Sequence, residues 1–411
     1  MVPRLRFAEF RDAQAWGTAP LEGIAERVAS KNANGEVIRV LTNSAEYGVL
    51  DQRDYFDRDI ASAGKVDGYC IVDAGDYVYN PRTSASAPVG PISRNNIGKG
   101  VMSPLYTVFR FAAEKTDFYE HYFRSTGWHS YIRSAASTGA RHDRMSITTG
   151  AFMRMPVPTP DQAEQQKIAD CLTSLDEVIA AQGRKVQALK MHKRGLMQRL
   201  FPREGETLPR LRFPKFRDAP EWSETRLSSL GELVSGLTYS PDDVRDNGLL
   251  VLRSSNVQNA EIALEDNVYV TPGIKGANLA KPNDILICVR NGSKALIGKS
   301  ALIPEGMPLC THGAFMTVFR ARAPHFVFQL AQSASFQKQV AADLGATINS
   351  INGGQLLKYR FVVPEADEQK RIAECLSSLT ARIAAEAKKL TALKTHKKGL
   401  MRQLFPSPAE V

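Results

Sequence analysis

The sequence predicts an α+β protein: two pseudo-symmetric domains of mixed helix and strand, held by a pair of long helices. Two observations carry this. The chain writes nearly the same segments twice, and the longest repeated segment spaces its apolar residues as a coiled coil does. At 411 residues the chain also exceeds the size at which one hydrophobic core keeps growing, so more than one domain is expected.

The duplication is read first because it decides the organisation. "PRLRFAEFRDAQAW" (3–16) returns as "PRLRFPKFRDAPEW" (209–222). The stretch from Glu164 to Pro202 returns from Glu368 to Pro406 with 23 of 39 positions identical, including the endings "HKRGLMQRLFP" and "HKKGLMRQLFP". Between these, the segments diverge but keep a skeleton. "AGDYVYNPRTSASAPVGPIS" (74–93) lies over "PNDILICVRNGSKALIGKSA" (282–301), matching Asp76, Arg82 and Gly90 to Asp284, Arg290 and Gly298. "YTVFRF" likewise recurs as "MTVFRA". The chain therefore divides into a variable domain (1–155), a long helix (156–202), a second variable domain (203–360) and a second long helix (361–411). Short apolar runs such as "GYCIVD", "DILICV" and "FMTVF" between Gly, Pro and Asn turns give the variable domains strand character, with helix around "DFYEHYFRSTGWHSYIRSA" and "FVFQLAQSASFQKQVAADL".

The long helices follow from an alternation of four- and three-residue steps. It runs through Ile168, Leu172, Leu175, Ile179, Gln182, Val186, Leu189, Lys193, Leu196 and Leu200, then again through Ile372, Leu376, Leu379, Ile383, Glu386, Leu390, Leu393, Lys397, Leu400 and Leu404. This is a coiled-coil seam, and two matching seams in one chain can bury each other. Pro160 and Pro364 stop the chain before each helix, and Pro202 and Pro406 close it. Gln182 and Glu386, polar in mid-seam, set register. His192 and His396 suit a helix C-terminus as caps, with partner docking as the alternative.

Composition narrows the function classes. No run of eighteen apolar residues could span a bilayer, and "MVPRLRFAEFRD" lacks the apolar core of a secretory signal, so a cytoplasmic protein without a membrane partner is expected. Five cysteines form no CxxC pair. Cys310 and His312 are two potential ligands where a tetrahedral site needs four, so no metal is assigned. No Walker A run, methyltransferase loop or convergent carboxylates are found, so neither a cofactor site nor a catalytic residue is assigned. A net charge of +10 favours a polyanionic partner, although a solvated surface gives the same number.

Reading bases in the major groove needs Arg or Lys for guanine, Asn or Gln for adenine, and Ser or Thr as adaptable partners. Loops dense in these types point to Asn80, Arg82, Ser84, Arg94, Asn95, Arg141, His142 and Arg144 in the first domain. In the second they point to Arg253, Ser254, Asn256, Arg290, Asn291, Lys294, Lys299, Asn349 and Asn352. For each, a plain turn or a solvated charge is the alternative. Arg82 and Arg290 could equally mark a shared structural salt bridge, with Asp76 and Asp284 as partners.

The organisation resembles the specificity (S) subunit of type I restriction-modification systems over essentially the whole chain. The resemblance rests on the paired "EQxxIAxCL" helix starts, the "HKxGLMxxLFP" helix ends, "GELVSG" opening the second variable domain, and "GxPLCTHGAFMTVF" late in it. It implies that the variable domains are target recognition domains, each reading one half of a split double-stranded DNA sequence. The helices would form an antiparallel coiled coil that spaces them and docks two methyltransferase subunits, with restriction subunits in the full complex. S-adenosylmethionine, Mg and ATP would be bound by those partners. The first domain departs from the pattern, reading "ERVASKNANGEVIRVL" where an "SG" opening is expected. A non-catalytic recognition subunit is thus expected; a coiled-coil adaptor whose variable domains bind protein or RNA is the alternative.

Overall fold

Apolar runs too short for helices, broken by Gly and Asn turns, form small and mostly antiparallel sheets, with Leu249–Leu252 parallel to Cys310–His312. The computed structural model describes residues 1–55, 66–136, 143–344 and 349–406. The chain forms two compact units, Met1–Gln182 with Lys389–Val411, and Gly183–Lys388. Each unit therefore takes the start of one long helix and the end of the other, rather than one consecutive domain and the helix that follows it.

The first unit carries a four-stranded sheet in the order Ala25–Arg27, Thr107–Phe111, Tyr77–Tyr79, Ile92–Arg94. The second repeats it as Gly231–Ser235, Met316–Ala321, Ile285–Cys288, Ser300–Leu302. Gly17–Pro20 pairs with Pro156–Thr159 in the first unit, as Ser223–Arg226 pairs with Arg360–Val363 in the second. The second unit adds a sheet of Val244–Arg245, Val268–Val270, Leu249–Leu252 and Cys310–His312. The expected helical stretches are each broken in two, into Asp117–Phe123 and His129–Ala135, and into Pro324–Ala331 and Ala334–Asp343.

One turn and one ion pair recur in both sheets. Gly75 and Asn283 sit at φ +90° and +68°, left-handed positions open to Gly and Asn, and bring round the following Asp76 and Asp284. Both carboxylates are buried; each accepts a main-chain N–H three residues back, from Asp73 and Lys281. Each is then clasped by an arginine across the sheet. Arg110 donates from Nε to Asp76 Oδ1 at 2.6 Å, and Arg320 from Nη2 to Asp284 Oδ2 at 2.8 Å. The sequence-level suggestion that Arg82 and Arg290 hold these carboxylates is thus corrected. Tyr77 pairs with Phe109 and Ile285 with Phe319, so one residue earlier in each strand lies opposite Arg110 or Arg320.

The two long helices run Gln162–Leu200 and Ala366–Leu404. In the first unit Lys397 meets Asp176; in the second Lys193 donates to Thr380 Oγ1 at 2.7 Å. Within each unit the helices therefore pack antiparallel. All positions of the four-three series are buried or half-buried, Gln182 among the buried and Glu386 half-buried beside Lys185.

The repeated "PRLRF" segment ties each unit together. Arg6 donates to both Glu164 oxygens, at 2.8 and 2.7 Å, and to the carbonyls of Ala13 and Gln14. Arg212 does the same with Glu368, Ala219 and Pro220. Both glutamates are almost fully buried, at 1% and 2% exposure. Hydrogen bonds to the carboxylate raise the pKa of each guanidinium, against the opposing effect of burial. One residue earlier, the Leu5 N–H donates to Gln403 O and the Leu211 N–H to Arg199 O, near the end of the other helix. The repeated "LFP" ending then enters the same core: Phe405 packs on Phe118 and Tyr122, and Phe201 on Trp222 and Phe326.

Two outcomes are expected. Arg212→Ala leaves Glu368 buried without its cation and should destabilise the second unit by about 3–5 kcal/mol in urea denaturation; a loss below ~1 kcal/mol would show the pair to be dispensable. Lys193, its pKa lowered by burial, has a hydroxyl where Lys397 has a carboxylate. Thr380→Asp should therefore stabilise the chain at neutral pH by about 1 kcal/mol, a gain that Lys193→Met abolishes.

Candidate nucleic-acid interface

In the second unit the chain leaves strand Ile285–Cys288 into a loop held from two sides. The N–H groups of Val289 and Arg290 both donate to Phe315 O at 3.1 Å. On the other side Arg290 forms an antiparallel bridge with Ser350, and the Ile351 N–H donates to Val289 O at 2.8 Å. Arg290 is exposed, its guanidinium 5.3 Å from the centre of the Phe315 ring. Asn291 Nδ2 donates to Ser254 Oγ at 3.0 Å and Asn349 Nδ2 to Gly292 O at 3.0 Å. The fold thus gathers Ser254, the Arg290–Asn291 pair and Asn349 from three separate stretches of the sequence. Lys294 and Lys299 are exposed on the next turn.

The first unit builds a matching loop. Arg82 bridges Arg144 as Arg290 bridges Ser350. The Thr83 N–H donates to Asp143 O and the Met145 N–H to Pro81 O. Arg82 is exposed and its side chain has no partner among the described residues. Ser84 is exposed and its Oγ accepts the Ala87 N–H, while Arg144 is half-buried, 3.8 Å from Asp143. Arg141 and His142 lie outside the described residues.

Several expected base readers are corrected by the structure. Asn80 donates to Asn43 O and accepts the Arg82 N–H; Asn95 donates to Asp73 O and Gly98 O; Asn256 donates to Ala263 O and accepts the Arg253 N–H. All three are buried. Asn352 caps the short helix that follows by accepting the Gly354 N–H. Arg94 is neutralised by Asp117 at 2.7 Å and Arg253 by Asp266 at 3.0 Å. For the four asparagines the physical reason is the same: short amides that could read a base are also those that satisfy main-chain groups in turns and caps. Phe315 was missed. Its signal was an apolar residue between a glycine turn and a strand, 58% exposed where strand burial should have begun.

Cys310 and His312 are buried in strand Cys310–His312, and no group of three metal-ligating side chains occurs among the described residues. Burial pushes the Cys310 thiol pKa up and the His312 pKa down. His312 Nε2 lies 2.9 Å from Val234 O, where a neutral imidazole N–H donates.

Residues 220–395 match the family described as type I restriction modification DNA specificity domain. The type I restriction enzyme StySPI specificity subunit of Salmonella potsdam is 29% identical over 39% of this chain and 37% of its own. The EcoKI specificity subunit of Escherichia coli K12 is 30% identical over the same shares of each chain. The MjaVIII specificity subunit of Methanocaldococcus jannaschii is 25% identical over 69% of this chain and 68% of its own. A type I restriction-modification S subunit from M. genitalium shares the fold at a TM-score of 0.58 and 13% identity, covering 99% of this chain and 100% of that one. Over the matched stretch the chain resembles the specificity subunits of type I restriction-modification systems. It spans 37% of the length of the first two relatives. No helix among the described residues is long and apolar enough to cross a membrane.

Two histidines of the first unit contribute to its response to acid. His121, with Nε2 3.0 Å from Thr173 Oγ1, has its pKa pushed down to about 4 by burial and then by Lys397 and Arg124. Burial and Arg133 do the same to His129. The unfolded chain binds these protons near pH 6.5, so it holds more protons than the folded chain between about pH 6.5 and 4, and stability is lost as pH falls through that window. Urea midpoints measured across it should drop, and His121→Gln should flatten the drop; an equal slope in the variant would exclude His121 as its source.

Proposed function

We propose that this protein is the DNA sequence-specificity subunit of a type I restriction-modification complex, acting in the cytoplasm. Each unit reads one half of a bipartite, asymmetric duplex target. The paired helices set the spacing and dock two methyltransferase subunits, which restriction subunits join in the full complex. Chemistry belongs to those partners, which supply the S-adenosylmethionine, Mg and ATP sites. The observation that supports this most is the matched pair of clamped loops, each presenting an exposed arginine, Arg82 and Arg290, from the same place in a repeated sheet. The match of residues 220–395 to the specificity-domain family and the charge of +10 support it further. No observation favours the alternative, an adaptor binding protein or RNA through the variable domains.

The scaffold is the same in both units while the loop residues differ, so the two half-sites should differ in sequence. Methylome sequencing of cells expressing the chain with its methyltransferase partner should return a split, asymmetric motif. Arg290→Ala should relax the second half-site alone, since one bidentate contact discriminates by about 1–3 kcal/mol. Equal loss at both halves would assign Arg290 to folding or to phosphate contact, and a motif without two separated halves would overturn the proposal.

A further inference from the structure

A single exposed apolar side chain is ordinary on a protein surface, so what Phe315 touches decides whether it has a role. Phe315 stands at the turn between Cys310–His312 and Met316–Ala321, where the next residue, Met316, is already buried. Its contribution to the fold is its carbonyl oxygen, which takes the Val289 and Arg290 N–H groups and which any residue would provide. Its side chain does something else. The ring lies against the Arg290 guanidinium, 5.3 Å from its centre, and that is the contact this guanidinium makes among the described residues. Arg94, Arg110, Arg253 and Arg320 each have a carboxylate partner, whereas Arg290 has none among the described residues. A carboxylate would orient the guanidinium by occupying its donors. An aromatic face orients it and leaves the donors free.

The backbone beneath is fixed on both sides, by Phe315 O and by Ser350, so the side chain's own rotation is the freedom left to restrain. The first unit keeps an exposed apolar side chain at the equivalent place: Leu105, 51% exposed, precedes "YTVFRF" as Phe315 precedes "MTVFRA".

We propose that Phe315 is a positioning residue for Arg290. The ring holds the plane of the guanidinium so that its paired N–H donors meet O6 and N7 of one guanine in the second half-site. This rests on the DNA-reading function proposed above. Phe315 need not touch the base; it acts by reducing the orientations Arg290 must give up on binding.

The test uses the assembled complex of the full chain with its methyltransferase partner, and a duplex carrying the methylome-mapped target. Affinity is read by anisotropy on that duplex, on duplexes with 7-deazaguanine replacing each second-half guanine in turn, and on an unrelated duplex. For the wild type, one 7-deazaguanine should weaken binding by about 5-fold or more. Phe315→Ala should weaken binding to the intact target by about 2- to 5-fold and shrink the penalty at that same guanine. Its affinity for the unrelated duplex and its thermal midpoint should stay unchanged. Phe315→Tyr should restore both values, and Phe315→Ala combined with Arg290→Ala should bind no more weakly than Arg290→Ala alone. Additive losses, or a full 7-deazaguanine penalty in Phe315→Ala, would overturn the positioning role. A wild type indifferent to every second-half 7-deazaguanine would overturn guanine reading by Arg290, while a wild type that does not prefer the mapped target would overturn the proposed function itself.

Discussion

Each unit hangs on one buried ion pair, Arg6 with Glu164 and Arg212 with Glu368. The glutamate sits in the first turn of a long helix, where a negative charge is favoured, and is nearly closed to water. Taking such a carboxylate out of water costs several kcal/mol unless a cation and hydrogen bonds replace the solvent. The arginine supplies both, and its remaining donors go to two carbonyls of its own segment. Because the neighbouring leucine N–H reaches the end of the other helix, one short segment joins the start of one helix to the end of its companion. That arrangement explains why "PRLRF" and "LFP" are written twice: each is half of a joint that both units need.

The two joints are not equally complete. Trp222 Nε1 donates to Glu368 at 3.2 Å, whereas the Trp16 Nε1 finds no acceptor among the described residues. Thr380 likewise replaces Asp176 opposite the repeated lysine. Trp16 lacks the bond although Glu164 is kept, whereas Thr380 lacks the charge of Asp176, so the two joints differ in polar contacts. A second pair, Asp76 with Arg110 and Asp284 with Arg320, does for the sheets what the first does for the helices. It pins the turn that enters each strand whose far end leads into the Arg82 or Arg290 loop. These loops can change composition without moving, since main-chain bonds to Asp143, Asn349 and Phe315 hold them.

Loop composition misled the reading of single residues in a consistent way. Asn80, Asn95 and Asn256 have the chemistry to read adenine and the geometry to close turns, and in the folded chain the second use takes their donors. Arg94 and Arg253 were legible as cations, but Asp117 and Asp266, which neutralise them, could not be matched to them without the fold. Phe315 was visible as a letter in "HGAFMTVF" and invisible as a surface residue, because alternation along a strand cannot say where the strand begins.

The sequence by itself determined the duplication, the class of fold and the seam of each long helix. These are carried by identity and by spacing along a single element, where the backbone period alone decides which residues share a face. Only the tertiary structure decided which arginine meets which carboxylate, since Arg6 and Glu164 are 158 residues apart and Arg212 and Glu368 are 156. Sheet register likewise decided for Arg110 and Arg320 over the nearer Arg82 and Arg290. Pairing at that range depends on how separate elements pack, and burial then decides whether a polar side chain serves the fold or remains free to serve a ligand.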